Sequence, residues 1–337
     1  MPTTRSVPTL VVIALAACSN LTAQGLILPP PDLNPGDQYR VLFVTDSTRD
    51  ATSTEVADYD AFVTADADAV PTLAALGTTW QAVVSTESIH ALAHTAATPP
   101  FAGPVPVYRP DGARVADDST GGRSHLWGTI TGAPLSAPVR MTASGQDAGD
   151  AWVWTGSTGA GRADWPLGDT SRPNATIGRT LQTTNRWLRT TNLPQTRSLR
   201  LFGLSGILIV PLDSAESTRL GSPANPQAFL PGTISGPVIG QTWDPRIDHT
   251  SFLPGAVADF AIFSSAPTNQ SLGSLGTLLC DLTGHVVLGT AGPGVPFGVS
   301  FPFDNAFVGA TMCVQGGSLD ASSVFLANAL DVTIGTR

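Results

Sequence analysis

The chain has 337 residues, a length that suits two domains, and each half is long enough to bury a core without a metal or a dense set of disulfides. Gly (34) and Pro (28) are abundant, charged residues make up only 13%, Lys is absent and 42% of residues are apolar, which favours turn-rich β structure and argues against disorder. The net charge is −9 and the 17 Arg form no basic stripe, which argues against a nucleic-acid partner, since phosphate binding needs concentrated positive charge.

Residues 1–23 have the layout of a secretory signal. Arg5 supplies the positive start, and Leu10 to Ala17 (LVVIALAA) is an apolar stretch too short to span a bilayer. Two processing routes fit. Leu15-Ala16-Ala17-Cys18 matches a bacterial lipobox, in which Cys18 is lipidated and becomes the first mature residue; cleavage after Ala23 would instead discard Cys18 and leave Gln24 first. The expected address is extracellular or the outer cell surface, with the membrane touched only through a lipid on Cys18.

Residues 24–38 read as a Pro-rich spacer. Tyr39 to Thr45 (YRVLFVT) reads as a buried strand, and Thr52-Ser53-Thr54-Glu55 as a capping box opening a helix with Val56, Tyr59, Phe62, Val63 and Val70 at helical spacing. Trp80 to Ser85 reads as a strand, residues 99–138 as turn-rich, and Ala151 to Thr155 (AWVWT) as an alternating strand with Trp152 and Trp154 both on a core face. A long polar excursion, 156–198, follows, and Leu199 to Val210 closes a first module over 39–212. Residues 213–221 read as a linker. From 222 to 337 only short strands and turns are expected, including Pro296 to Phe303 with its Phe residues on one face, and Leu330, Val332 and Ile334 alternating with Asp331 and Thr333.

The fold expectation is mainly β: an α+β first module with one or two helices and an all-β sandwich second module. With Cys18 removed or lipidated, Cys280 and Cys313 remain as an even pair in an oxidising compartment. A bridge between them would be worth about 3–4 kcal/mol; two buried free thiols are the alternative.

The stretches YRVLFVT, Leu76 to Ser85 (LGTTWQAVVS), Val105 to Asp118 (VPVYRPDGARVADD), Val153 to Gly156 (VWTG) and Leu201 to Ser205 resemble a region of secreted bacterial proteins, many of the PEP-CTERM exported type. In order, these elements are also similar to a C-type-lectin/endostatin-like fold. Phe307 to Gln315, Asp320 and Leu326 to Gly335 resemble a C-terminal β-domain of secreted bacterial proteins. The PEP-CTERM resemblance would imply a Pro-Glu-Pro motif, an apolar span and a basic cluster at the end. The chain ends Thr-Ile-Gly-Thr-Arg, so surface retention is expected to rest on Cys18.

Several constellations fall short of a chemistry. Gly156 to Ala163 (GSTGAGRA) has the glycine spacing of a phosphate-binding loop, but Arg162 and Ala163 stand where Lys and a hydroxyl are needed. His90 and His94 have zinc-ligand spacing, but Ala91 stands where a zincin carries Glu. Pro173 and Asn174 match the calcium- and sugar-binding loop that a lectin resemblance implies, but Arg172 replaces its oxygen ligand. Neither Gly203 to Gly206 nor Asp118 to Gly121 has the spacing of a hydrolase nucleophile or an aspartic-protease motif.

No catalytic residue, metal or cofactor is assigned. The expected function is a secreted or lipid-anchored binding, adhesion or matrix protein whose partners include glycans or other surface components; an extracellular carbohydrate-active hydrolase is the alternative. Candidate ligand-binding residues lie in the 156–198 excursion: Trp165 and Trp187 for stacking, Asn174 for amide contacts and Arg186 for acidic sugars.

Overall fold

The computed structural model describes residues 26–96, 104–120, 124–128, 134–284 and 286–337. The signal segment and Cys18 lie outside the described residues, as do Gln24 and Gly25 of the expected spacer. The described chain is mainly β with three α-helices, as its composition implies.

The first part comprises β1 (Gln38–Val44), α1 (Val56–Asp68), α2 (Pro71–Ala74), β2 (Trp80–Ala82), α3 (Ala91–His94), β3 (Val107–Tyr108), β4 (Arg114–Ala116), β5 (Trp152–Trp154), β6 (Asn174–Arg179), β7 (Thr191–Pro194), β8 (Phe202–Ser205) and β9 (Leu208–Ile209). Its main sheet runs β2-β8-β1-β3-β4, with β9 paired to the start of β1; only β1 and β3 are parallel. β1 is covered on both faces, which is why its apolar residues run without alternation. Val41 and Phe43 join α1 and Trp80 in one core, while Leu42 and Val44 join Trp127, Trp187 and Phe202 in another.

Helix α1 buries Tyr59, Val63 and Ala67, one residue per turn. The expected capping box is not formed. The Ser53 hydroxyl accepts from the Glu55 N–H (3.2 Å) and donates to Asp58 Oδ2 (2.6 Å), but the N-cap position is Glu55 and carries no side-chain cap hydrogen bond, so the reciprocal pair expected of Thr52 and Glu55 does not form. The excursion 156–198 is likewise not a loop. It holds β6 and β7, which with β5 make an antiparallel three-stranded meander. Its strands are short and their outward residues polar, which hid their period in the sequence.

The second part comprises β10 (Ala215–Arg219), β11 (Phe229–Leu230), β12 (Thr242–Trp243), β13 (Arg246–Ile247), β14 (Ala258–Ser264), β15 (Pro267–Ser271), β16 (Thr277–Cys280), β17 (Val286–Ala291), β18 (Val299–Ser300), β19 (Thr311–Leu319) and β20 (Val324–Thr333). The expected linker 213–221 thus contains a strand, and β10 pairs with β20 at one edge of the sheet β10-β20-β19-β14-β17. The pairs β11-β13 and β12-β18 cover one face over Phe229, Trp243, Val314 and Leu330; the β15-β16 hairpin covers the other, giving a sandwich-like unit. Leu330, Val332 and Ile334 are buried as their alternation predicts. The expected Phe face of 296–303 is only partly formed: Phe297 and Phe301 are buried, while Phe303 lies beyond the end of β18 and is exposed.

Cys280 and Cys313 form a disulfide that ties β16 to β19 inside the core. Buried amides reinforce that tie. The Gln315 side chain accepts from Leu279 N (2.8 Å) and donates to the carbonyls of Thr277 (2.8 Å) and Ala327 (3.0 Å). Asn225 does the same with Thr277 N (2.7 Å) and the carbonyls of Thr277 (2.7 Å) and Ala327 (2.9 Å). These side chains occupy hydrogen-bonding groups that strand ladders leave open, as burial requires.

Candidate functional site

The four residues picked from the excursion do not form one site. Trp187 is fully buried: its ring lies 6.2 Å from that of Trp127 and 5.5 Å from that of Phe202. β6 fits it closely, since a Cβ on Gly178 would stand 1.8 Å from the Trp187 carbonyl oxygen. Trp187 therefore offers no face to a ligand, a correction to the reading of it as a stacking residue. Trp165 is half-buried, and the Arg172 guanidinium sits 4.9 Å from its ring centre. Asn174 opens β6 opposite Pro194, and Arg186 is exposed on the turn preceding Trp187.

The carboxylates near Trp165 are engaged by arginines. Asp164 accepts from Arg189 Nε at 2.6 Å, and Asp169 lies 3.3 Å from Arg172 Nε. Asp169 also accepts from the Ser171 hydroxyl (2.5 Å) and N–H (2.8 Å). The Ser171 hydroxyl leads in holding its carboxyl below the ordinary range; burial opposes, and the Ser171 N–H and the Arg172 charge assist. With Arg172 standing among these oxygens, Asp164, Asp169 and Asn174 do not fit the hard-oxygen cage that calcium requires.

His90 and His94 are separated in role. The His94 Nε2 pairs with Asp60 Oδ1 at 2.8 Å, while His90 Nδ1 accepts from Ala163 N at 3.1 Å. No group of three His, Cys, Asp or Glu suited to a metal occurs among the described residues. The glycine-rich loop closes on itself: Thr158 N donates to Arg162 O (2.6 Å) and Gly161 N to Thr158 O (3.0 Å), so those donors are spent internally. Ser205 donates to Gly206 O (2.6 Å), and Asp118 accepts from Thr120 twice, both typical of loop-fixing groups.

The residue that sequence reasoning missed is Trp152. Although Trp152 and Trp154 share one side of β5, Trp154 is buried and donates its indole N–H to Arg49 O (3.1 Å), whereas Trp152 is 40% exposed. It opens the strand where the chain enters the core, after the Asp-bearing segment 147–150. Beside it lies a cleft of about 270 Å³ lined by Thr48, Asp150, Trp152, Ser198, Leu199 and Arg200. Asp150 is bound by Arg179, the residue opposite Trp152 on β6, and Arg200 is fixed by the carbonyls of Thr45 and Asp46. The Arg197 guanidinium stands 6.0 Å from the Trp152 ring centre. The cleft thus presents one indole face, two hydroxyl-bearing residues and guanidinium and carboxylate groups held in place by the fold. The signal available in the sequence was the position of Trp152 at the start of its strand, beside a segment carrying Asp147 and Asp150.

No protein-family model matches the chain, and no curated protein matches it.

Proposed function

We propose that the chain is an exported, non-enzymatic binding protein, secreted or held at the surface through a lipid on Cys18, and that the Trp152 cleft takes a glycan in an adhesion or matrix role. The observation that carries this reading is the exposed Trp152 indole beside convergent polar groups, the combination that a sugar ring needs: an apolar face to stack on and planar groups to receive its hydroxyls. The pairing of β1 with the closing strand β8, with α1 between them in sequence, supports the C-type-lectin-like reading. The disulfide supports an oxidising address. A binding role is favoured over hydrolysis because the cleft is lined by one carboxylate, Asp150, already held by Arg179, whereas glycoside hydrolysis uses two.

A glycan array probed with the mature chain tests this. Trp152→Ala should weaken binding to any glycan found by about tenfold or more, which corresponds to about 1.4 kcal/mol, without changing the melting temperature. Trp187→Ala should instead lower the melting temperature. An array with no bound glycan, or full binding by the Trp152→Ala protein, would overturn the assignment.

A further inference from the structure

The two edges of the second sheet are built differently. The β10 edge carries Glu216 and Arg219 within five residues, charges of the kind that discourage another strand from adding on. The β17 edge, Val286–Ala291 (VVLGTA), carries no charge and no Pro, and its register with β14 is unbroken, so no bulge turns it away. Its apolar side chains remain in solvent: Val286 is 38% exposed, Val287 66% and Leu288 63%. Beneath this edge, between the sheet and the β12-β18 layer, lies an apolar groove of about 480 Å³ whose lining includes Val287, Gly289, Phe263, Phe297, Phe301 and Met312.

We propose that β17 is a self-association edge, on which a second copy of this chain adds its own β17 in antiparallel register to make one continuous ten-stranded sheet across a two-fold axis. A second copy fits because the edge is complementary to itself. Antiparallel neighbours related by a two-fold axis must meet with the axis normal to the sheet, so the same face of both copies points the same way and a residue lies on the axis. With Leu288 on the axis, Val286 meets Thr290 and Val287 meets Gly289 of the other copy. Every opposed pair is uncharged, so no like charges face each other. Gly289 has no side chain and lines the groove, with the Phe263 ring 3.2 Å from where a Cβ would stand, so each Val287 meets an apolar surface of the other copy at Gly289. A short strand edge with one groove on each side falls toward the small end of stable interfaces, so a concentration-dependent equilibrium is expected rather than a permanent dimer.

Sedimentation velocity on the full chain, over about 1–300 μM, reads this directly, that range being set by the weak-interface regime. The expected result is a shift from monomer to dimer with rising concentration. Leu288→Lys places two ammonium groups together on the axis and Val287→Lys puts one into the groove; each should raise the dissociation constant by about tenfold or more, about 1.4 kcal/mol. Ile234→Lys is the control, because Ile234 is 91% exposed but lies outside β17, in the segment between β11 and β12. Near-ultraviolet circular dichroism confirms that each variant is folded. Opposed residues in antiparallel strands lie about 4.5–5.5 Å apart at Cα, within disulfide reach. Leu288→Cys should therefore form a dimer on oxidation that Ile234→Cys does not. A chain that stays monomeric throughout, or a dimer unaffected by both Lys variants and not trapped by Leu288→Cys, would overturn the proposal.

Discussion

Reducing the Cys280–Cys313 bridge is the perturbation whose magnitude follows most directly from the structure. The bridge spans a sequence separation of 33 residues. In the chain-entropy account, closing a loop of that length removes about 12.5 cal/mol/K from the unfolded chain, or about 3.7 kcal/mol at 25 °C. Both sulfurs are buried among Ile262, Leu278, Leu279 and Leu326, so reduction must be carried out in denaturant and the protein refolded under reductant. The two thiols then fill nearly the same space as the bridge, and the measurement isolates the cross-link from packing. The double variant Cys280→Ala/Cys313→Ala adds the loss of two buried sulfur atoms and should be less stable still. For a unit of about a hundred residues, about 3.7 kcal/mol corresponds to a fall of about 15–20 °C in the midpoint of its unfolding, followed by scanning calorimetry and by the fluorescence of Trp243. A fall of less than about 3 °C would refute the reasoning, because it would mean that the amide-tethered hairpin holds the unit together without the covalent link.

Two further outcomes are expected. Gln315→Leu should cost about 1–3 kcal/mol in urea unfolding, since it leaves the Leu279 N–H unpaired, while the carbonyls of Thr277 and Ala327 keep Asn225 as a donor; a loss well under about 1 kcal/mol would show that the β16 layer does not depend on this tether. Stability should also fall in acid: the Asp169 and Asp111 carboxyls are held below their ordinary range, so their contribution is complete above the unfolded value near pH 4 and is lost as the pH drops through the folded values. At Asp111 burial alone would raise the value, and the Arg109 hydrogen bonds outweigh it. Asp169→Asn should flatten the melting temperature between pH 4 and 2, and an unchanged slope would contradict the assignment.

What was legible in the sequence was whatever local period and chemistry decide. YRVLFVT is a strand because both its faces are buried, Tyr59 and Val63 mark the buried side of α1, and Cys280 and Cys313 form the bridge that their even count allowed. What was not legible depends on which element lies across from a residue. Trp187 sits on a polar, exposed-looking segment, yet the space over Gly178 and beside Trp127 and Phe202 encloses it; Trp152 sits in an apolar strand, yet the start of β5 leaves it 40% exposed. The same rule explains β10, whose five residues AESTR carry no strand period and become a strand only because β20 offers a free edge. It also explains Gln315. A polar side chain in the midst of an apolar strand reads locally as an outward residue, but Gln315 shares the face of Cys313, which the β15-β16 hairpin covers, and its amide meets backbone groups of β16 and β20. The tryptophan that carries the proposed function was therefore displaced from the one first favoured for a physical reason: stacking requires exposure, and exposure is a property of the assembled layers.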